Sequence, residues 1–415
     1  MDVLAALRNG FTDPVRDPLW GHIYMTPRIA DITASAAFMR LSRIFQLGPA
    51  YCVYPGATHT RAGHSIGVYY LARRLLTGLA EIASSFLTPS GALSFLIAAL
   101  LHDVGHFPYA HSLKEIVLTE HENLSARLIR SEPLRTLIGK AGGDPALCAA
   151  IVDKSLPAGG GEVSFFRRLL SGVLDPDKLD YLNRDARYCG VPYGAQDVDF
   201  IFSRILPHPE RGVDIDSKGI PGVESLLFSK YLMYRVVYWH RQVRSATAMI
   251  KKALIAALGE KLIAAEDLYG LDDQGLFTLM AGKNFEPFAL AAAVRDGRLF
   301  YEAAAFPYRK DMGLDSIEER PDREAALAAE LSEGQGEKLS AGELIIDVPE
   351  PVSFETDLVV RDENRPFGES SSAFKKNVLD AFVASLRIVR VFTRRPLKQE
   401  RINTLIQKSL HKGQN

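Results

Sequence analysis

The feature that most narrows the fold is a helical rhythm of apolar residues running, with few breaks, from about residue 26 to 255. In SGALSFLIAALL, Leu93, Leu96, Ile97, Leu100 and Leu101 fall at the i, i+3, i+4, i+7, i+8 spacing of a core-facing helix. HSIGVYYLARRLLTGLAEI repeats the pattern through Val68, Leu71 and Leu75. LLFSKYLMYRVVYWHRQVRSATAMIKKALIAAL contains no proline and predicts one long helical stretch. Regularly spaced alternating strands are scarce, so this part is expected to be mostly α, with LPAGGGEV at 156–163 as a flexible loop.

The character changes after residue 256. Helical pieces continue to about 330, and LSEGQGEKLSAGE at 331–343 reads as an exposed loop or linker. ELIIDV and FETDLVVRD alternate apolar and polar residues, with Pro349 and Pro351 between them, and predict two short strands. FVASLRIVRVFT at 382–393 fits strand or helix, and the basic tail KQERINTLIQKSLHKGQN reads as a frayed amphipathic end. A chain of 415 residues exceeds the ~250–300 at which a single core stops growing, so two parts are expected. These are residues 1–255, including an N-terminal extension, and an α+β region at 256–415 assigned to oligomerisation.

A formal net charge of −1 provides no overall field for nucleic acid, so an anionic ligand must be met by a local group of cations. No long basic-aromatic stripe is present, so nucleic acid is not the favoured partner. Cys52, Cys148 and Cys189 have no CxxC spacing and read as reduced thiols. The start lacks a basic segment followed by an apolar run, and no window reaches ~18 uninterrupted apolar residues. The expectation is a cytoplasmic chain with no membrane partner.

Chemistry enters at LLHDVGHFPYAH, 100–111, where an apolar helix pattern ends in the adjacent pair His102-Asp103. An isolated His-Asp pair is ordinarily a satisfied polar pair at a helix end. Two further features change the weighting. His64 sits on the same helical stripe as Val68, Leu71 and Leu75, which aims an imidazole at the core. In DPDKLDYLNRDARY, Asp177, Tyr181, Asp185 and Tyr188 share one face, putting two carboxylates where a core would want leucines. Buried carboxylates need cations or donors. His64, His102, Asp103 and Asp177 together form a two-His, two-Asp set suited to a divalent ion such as Mg, Mn, Fe, Zn or Ni.

The order H…HD…D, in the contexts HTRAGHSIGV, LLHDVGHFPYAH and DPDKLDYLNRDARYCG, resembles the HD-domain superfamily of metal-dependent phosphohydrolases. Within it the chain is most similar to the deoxynucleoside triphosphate triphosphohydrolases. The similarity begins at HIYMTPRIADITASAAFMRLSRIFQLGPAYCVYPGATHTR and runs to about residue 255; LIIDVP and FETDLVV are similar to the C-terminal region of bacterial relatives. The resemblance implies a mainly α chain, with an HD-domain helical fold and a smaller α+β C-terminal region. It also implies hydrolysis of a dNTP to a deoxynucleoside and inorganic triphosphate at a divalent metal, in a homo-oligomer (dimer or tetramer) that a nucleotide effector could activate.

Residue by residue, the resemblance makes Arg61, Lys178 and Lys230 phosphate-binding cations, Lys230 standing where the human member has an arginine. It assigns Gln46 and Leu47 to the nucleoside, and Tyr181 and Asp185 to the deoxyribose. Tyr238 would pack near C2′ and exclude a 2′-hydroxyl. His106 and His121 would be the catalytic pair, with His111 close to the phosphates; hydrogen bonding to the metal ligands is the other role open to all three.

Two positions depart from the family. The acidic residue expected three places after the last histidine of HDxGHxPxxHxxE/D is Lys114, followed by Glu115. A shifted helix, another carboxylate such as Glu122, or slow turnover are the consequences open. Ala34 replaces the aspartate that reads an activating guanine in human-type enzymes, although Arg43 is kept. An HD phosphohydrolase for another nucleotide, and a non-catalytic nucleotide-sensing or nucleic-acid-binding protein, are the alternative readings.

Overall fold

The computed structural model describes residues 2–83, 85–113, 118–317, 319–335, 339–371 and 373–397. The chain begins with α1 (Val3–Arg8), the antiparallel hairpin β1 (Asp13–Asp17) and β2 (Gly21–Met25), then α2 (Pro27–Thr33) and α3 (Ala36–Leu41). Two long helices follow, α4 (Arg61–Ala83) and α5 (Pro89–Leu101), and pack on one another. Around them lie α6 (His121–Ile129), α7 (Leu134–Lys140), α8 (Pro145–Val152), α9 (Gly161–Leu170) and α10 (Pro176–Cys189). The structure is mainly α, as expected.

The core explains the apolar periodicity of α4, where Val68, Leu71 and Leu75 are buried. In α5 the pattern understates burial. Phe95, Ala98 and Ala99 are buried together with Leu96, Ile97, Leu100 and Leu101, whereas Leu93 is only partly covered. This helix is enclosed by α4, α8 and α9 on several sides and does not show a single stripe to the core. The helix N-termini are set by short polar caps. Thr88 Oγ1 accepts from the Gly91 N–H before α5, and Asp175 accepts from the Lys178 N–H before α10.

The stretch expected to be mostly α also contains a hairpin. After α11 (Val198–Arg204), β3 (Ile205–His208) and β4 (Gly212–Ile215) pair antiparallel, with Gly212 at φ +79 in the turn. The single long helix predicted beyond it is two. α12 (Ile220–Met233) passes through a π-helical turn at 234–238 and stops, and α13 (Arg241–Gly259) starts afresh with His240 capping the Gln242 N–H. The Tyr54 hydroxyl donates to the Val236 carbonyl within the irregular turn, so tertiary contact stabilises a break that contains no proline. Residue 255 lies inside α13.

The rest is built from α14 (Asp273–Ala281), α15 (Ala289–Arg295), β5 (Tyr301–Pro307), α16 (Arg320–Gln335), β6 (Leu344–Asp347), β7 (Val359–Val360), β8 (Arg365–Pro366), α17 (Phe367–Ser370), α18 (Lys376–Leu386) and β9 (Ile388–Thr393). The sheet order β5-β9-β6 is antiparallel throughout. β4 pairs in parallel with β7, so a strand of the first half is completed by one from the C-terminal region.

Two expectations change here. α16 runs on to Gln335, into the segment read as a linker from 331, because Leu327 and Leu331 are buried beneath the sheet. The ambiguous 382–393 is both things, ending α18 at Leu386 and starting β9 at Ile388. The tail from Lys398 onward lies outside the described residues. Among the described residues no helix is long and apolar enough to cross a membrane.

Candidate metal centre

Three elements deliver the predicted ligands to one place. The first turn of α4 supplies Arg61 and His64, the end of α5 supplies His102 and then Asp103, and the first turn of α10 supplies Asp177. Close approach of α10 to α4 requires Gly67, since a Cβ there would stand 1.9 Å from Asp180 Oδ1.

The loop of HDVGH is docked just as tightly. A Cβ on Gly105 would lie 2.3 Å from the Ser125 nitrogen, and the Gly105 N–H donates to Ser125 Oγ, which itself donates to the His102 carbonyl. From the other side buried Arg40 donates to the carbonyls of Val104 and His106, both at 2.6 Å. The loop is thereby fixed with His106 against His121, their ring centroids 4.0 Å apart.

The geometry of the first set suits a cation. Ligand atoms of His64, His102 and Asp103 lie within 4.8 Å of one another. His64 Nε2 is 3.0 Å from Asp177 Oδ1, and His102 Nε2 is 3.4 Å from Asp103 Oδ1 and 3.8 Å from Asp177 Oδ1. His102 Nδ1 is 2.9 Å from the Ala99 carbonyl, which can only accept, so the proton sits on Nδ1. Nε2 is the nitrogen left for a ligand, buried with no hydrogen-bond partner and close to the two carboxylates. The donor set of two imidazoles and two carboxylates fits a divalent ion, which would supply an electron-pair acceptor for this nitrogen.

The His64 ring is held from behind by Asp180, whose Oδ2 is 2.9 Å from Nδ1. Burial alone would lower the pKa of this imidazole, but hydrogen bonds and charge from Asp177 and Asp180 raise it to about 10. Burial pushes Asp177 the other way from His64, whose hydrogen bond and charge prevail and bring the carboxyl down to about 2. Asp180 is itself fully engaged, accepting from Trp20 Nε1 at 2.6 Å and from Arg184, which also reaches Asp17. Sequence reasoning missed this support. Asp180 lies three residues after Asp177 in the same motif, but its partners come from the N-terminal hairpin.

A second group overlaps the first through Asp103. His106 Nε2 and His121 Nε2 lie 3.5 and 4.0 Å from Asp103 Oδ1, while Arg61 Nη1 donates to Oδ2 at 2.7 Å. His121 Nδ1 is 3.1 Å from Glu122 Oε2, so a carboxylate does accompany this imidazole. The His111 side chain, Lys114 and Glu115 lie outside the described residues.

Arg61, His64, His102, Asp103, His121, Glu122 and Asp177 border a cavity of about 980 Å³ that is also lined by Gln46, Leu47, Lys178, Tyr181, Asp185, Lys230 and Tyr238, whereas His106 is fully buried and does not line it. Every predicted ligand and substrate residue therefore faces one space, with His121 beside them. Asp185 accepts from the Tyr238 hydroxyl at 2.7 Å and is 2.8 Å from His59 Nε2. His59, stacked on Tyr188, was not singled out, although it lies in the quoted HTRAGH segment. Gln46 Oε1 is buried without a partner at the cavity wall. Lys178 is bound to Asp175 and Glu355, and Lys230 donates to the Ser353 carbonyl. Arg43 pairs with Asp272, away from this cavity.

The sequence pattern of the HD domain matches residues 61–155, and that of the HD associated region matches 204–403. This chain carries an HD domain. His64, His102, Asp103, His106 and His121 fall inside it, Asp177 to Asp185 lie between the two matched segments, and Lys230, Tyr238 and Glu355 belong to the HD-associated region. An uncharacterized protein of Methanocaldococcus jannaschii is 33% identical over 270 residues, 64% of this chain and 54% of that protein. Human deoxynucleoside triphosphate triphosphohydrolase SAMHD1 is 28% identical over 276 residues, 59% of this chain and 44% of that protein. The chain spans about half the length of the curated relatives it matches.

The crystal structure of a phosphohydrolase from Bacteroides thetaiotaomicron shares the fold with a TM-score of 0.72 at 24% identity, covering 92% of this chain and 100% of that one. The HD-domain match agrees with the His/Asp cluster, whose residues could hold a divalent metal ion.

Proposed function

We propose that the chain hydrolyses deoxynucleoside triphosphates to a deoxynucleoside and inorganic triphosphate. The observation that carries this reading is that one cavity is lined by the His64–His102–Asp103–Asp177 set, by Arg61, Lys178 and Lys230, and by the Asp185–Tyr238 pair. Its volume lies in the range of small-ligand sites, and the similarity to SAMHD1 supports the choice of substrate.

His64, His102, Asp103 and Asp177 would hold a divalent ion, which would supply Lewis-acid polarisation of a phosphoryl oxygen. Arg61, Lys178 and Lys230 balance the remaining negative charge of the triphosphate. The oxygen of water forms the new bond to the α-phosphorus as the bond to the 5′-oxygen breaks, and the proton lost by water equals the one gained by the leaving 5′-oxygen. His106 and His121 are the residues for that transfer, with Glu122 holding His121 by its other nitrogen. Tyr238, tied by its hydroxyl to Asp185, presents a fixed ring that crowds a 2′-hydroxyl while leaving room for hydrogen.

The test is product analysis by ion-pair chromatography, with each dNTP singly and in mixture, Mg or Mn present, and His102→Ala and Asp103→Ala as controls. The expected result is deoxynucleoside plus triphosphate, absent from both controls. Thermal stabilisation by dNTPs without turnover would replace this reading with a nucleotide sensor, and products cleaved at another phosphate bond would replace the reaction assigned.

A further inference from the structure

Two of the lysines that line the cavity, Lys178 and Lys230, are taken by one short segment of the HD-associated region. Lys178 Nζ lies 3.0 Å from Glu355 Oε2, and Lys230 Nζ donates to the Ser353 carbonyl at 2.8 Å, with its ammonium 5.6 Å from the centroid of the Phe354 ring. Residues 348–358 form no helix or strand. They are pinned where the Pro349 carbonyl accepts from Arg387 Nε and where Val352 and Leu358 are buried.

Between these pins the Glu355 side chain is 44% exposed, whereas that of Lys178 is only 13% exposed. Lys178 is thus the enclosed partner of the pair and Glu355 the one open to solvent. Lys178 already has a buried carboxylate in Asp175, 2.8 Å away, so Glu355 is a second counter-charge that Lys178 does not need for its own burial.

We propose that Glu355 is a specificity-determining residue, a resident anion on the Lys178–Lys230 pair that a ligand must displace, so that the pocket favours polyphosphate chains over single phosphates. The proposal rests on the reading of these lysines as a phosphate subsite. A single phosphate exchanges one ion pair for another of similar strength and gains little. A chain of phosphates meets Lys178, Lys230 and Arg61 together, and the additional contacts outweigh the loss of one half-exposed pair. The same segment joins the HD-associated region to the phosphate end of the HD site, which gives that region a part in ligand selection.

The test is calorimetric titration of the full chain with inorganic phosphate and with tripolyphosphate, in excess MgCl₂, for the wild type, Glu355→Gln, and Asp357→Asn as an exposed neighbouring control. Removing the charge of Glu355 is expected to tighten tripolyphosphate binding by roughly twofold to fivefold, the range of a weak exposed ion pair. Phosphate binding is expected to tighten by a larger factor, so that the preference for tripolyphosphate narrows, with Asp357→Asn unchanged; an unchanged ratio of the two affinities overturns the specificity role. Unchanged or weaker binding in Glu355→Gln, with the wild type still binding tripolyphosphate, overturns the role of Glu355 and leaves the lysine subsite standing. Failure of both chains to bind tripolyphosphate, with their melting temperatures equal, overturns the subsite and the proposal together.

Discussion

Asp180 Oδ2 lies 2.9 Å from His64 Nδ1, which makes Asp180 the group that orients the first metal imidazole. A carboxylate behind a metal histidine fixes its tautomer and raises its basicity, and loss of such a partner typically weakens metal binding 10–100-fold. Asp180→Asn keeps a hydrogen-bond acceptor for Nδ1 but removes the charge that also faces Arg184. The expected outcome is divalent-metal affinity lower by about tenfold or more, measured by metal titration with Asp144→Asn as a remote control. Equal affinities would mean that Asp180 serves only to hold Arg184.

Gly67 is where the contact between α4 and α10 is tightest. A methyl at this position meets Asp180 Oδ1 at 1.9 Å and Arg184 Nη2 at 2.4 Å, and both belong to a buried network with Asp17 and Trp20 that has little freedom to move. Gly67→Ala is expected to lower stability by about 1–3 kcal/mol through overpacking, and to loosen the metal site by shifting Asp180. Urea unfolding paired with metal content checks both effects; a variant as stable as the wild type would show that α10 can slide at no cost.

The clustering of the candidate ligands was legible because its signal is local. An imidazole on an apolar stripe and two carboxylates on one helical face both break the rule that such faces are apolar, and the structure brings His64, His102, Asp103 and Asp177 to one cavity. What escaped was set by distant parts of the chain. Trp20 and Asp17 support Asp180 and Arg184 from more than 150 residues away, and no spacing within DPDKLDYLNRDARY announces it.

The fold shows the same division. Apolar periodicity located α4 and α5, but the break at 234–240 contains no glycine or proline and depends on the contact from Tyr54. The hairpin β3–β4 is only four residues per strand, too short for alternation to stand out, and is stabilised by the pairing of β4 with the remote β7.

Asp273 gives stability a dependence on pH. Its Oδ2 accepts from the Phe45 N–H at 2.8 Å, but burial outweighs that bond and raises the carboxyl from 3.8 to about 6. Because the folded pKa is the higher one, the folded state holds the proton more tightly than the unfolded state. This group's contribution to stability is therefore fully present below about pH 4 and is lost as pH rises through about 6. Asp273→Asn keeps an acceptor for Phe45 and has no charge to bury. Relative to the wild type, the variant is expected to gain roughly 1–2 kcal/mol between pH 4 and pH 7, read from urea midpoints across that range. A difference that stays flat with pH would show that folding does not shift the Asp273 carboxyl.

Tyr238 should control the sugar by its ring and by its hydroxyl in separable ways. The hydroxyl donates to Asp185, and Asp185 is held at its other oxygen by His59, so the phenol is locked with its ring edge toward Tyr181 at a centroid distance of 6.5 Å. Tyr238→Phe keeps the wall and loses the lock. It is expected to raise KM for dNTPs a few-fold while leaving the preference for dNTP over NTP in place. Tyr238→Ala removes the wall, and because a steric barrier to one hydroxyl is worth about 10–100-fold in kcat/KM, the preference is expected to fall by about that factor. Competition assays with a dNTP and its matching NTP provide the ratio directly. If Tyr238→Ala retains the preference and Tyr238→Phe loses it, discrimination comes from the Asp185 hydrogen bond and not from the aromatic wall.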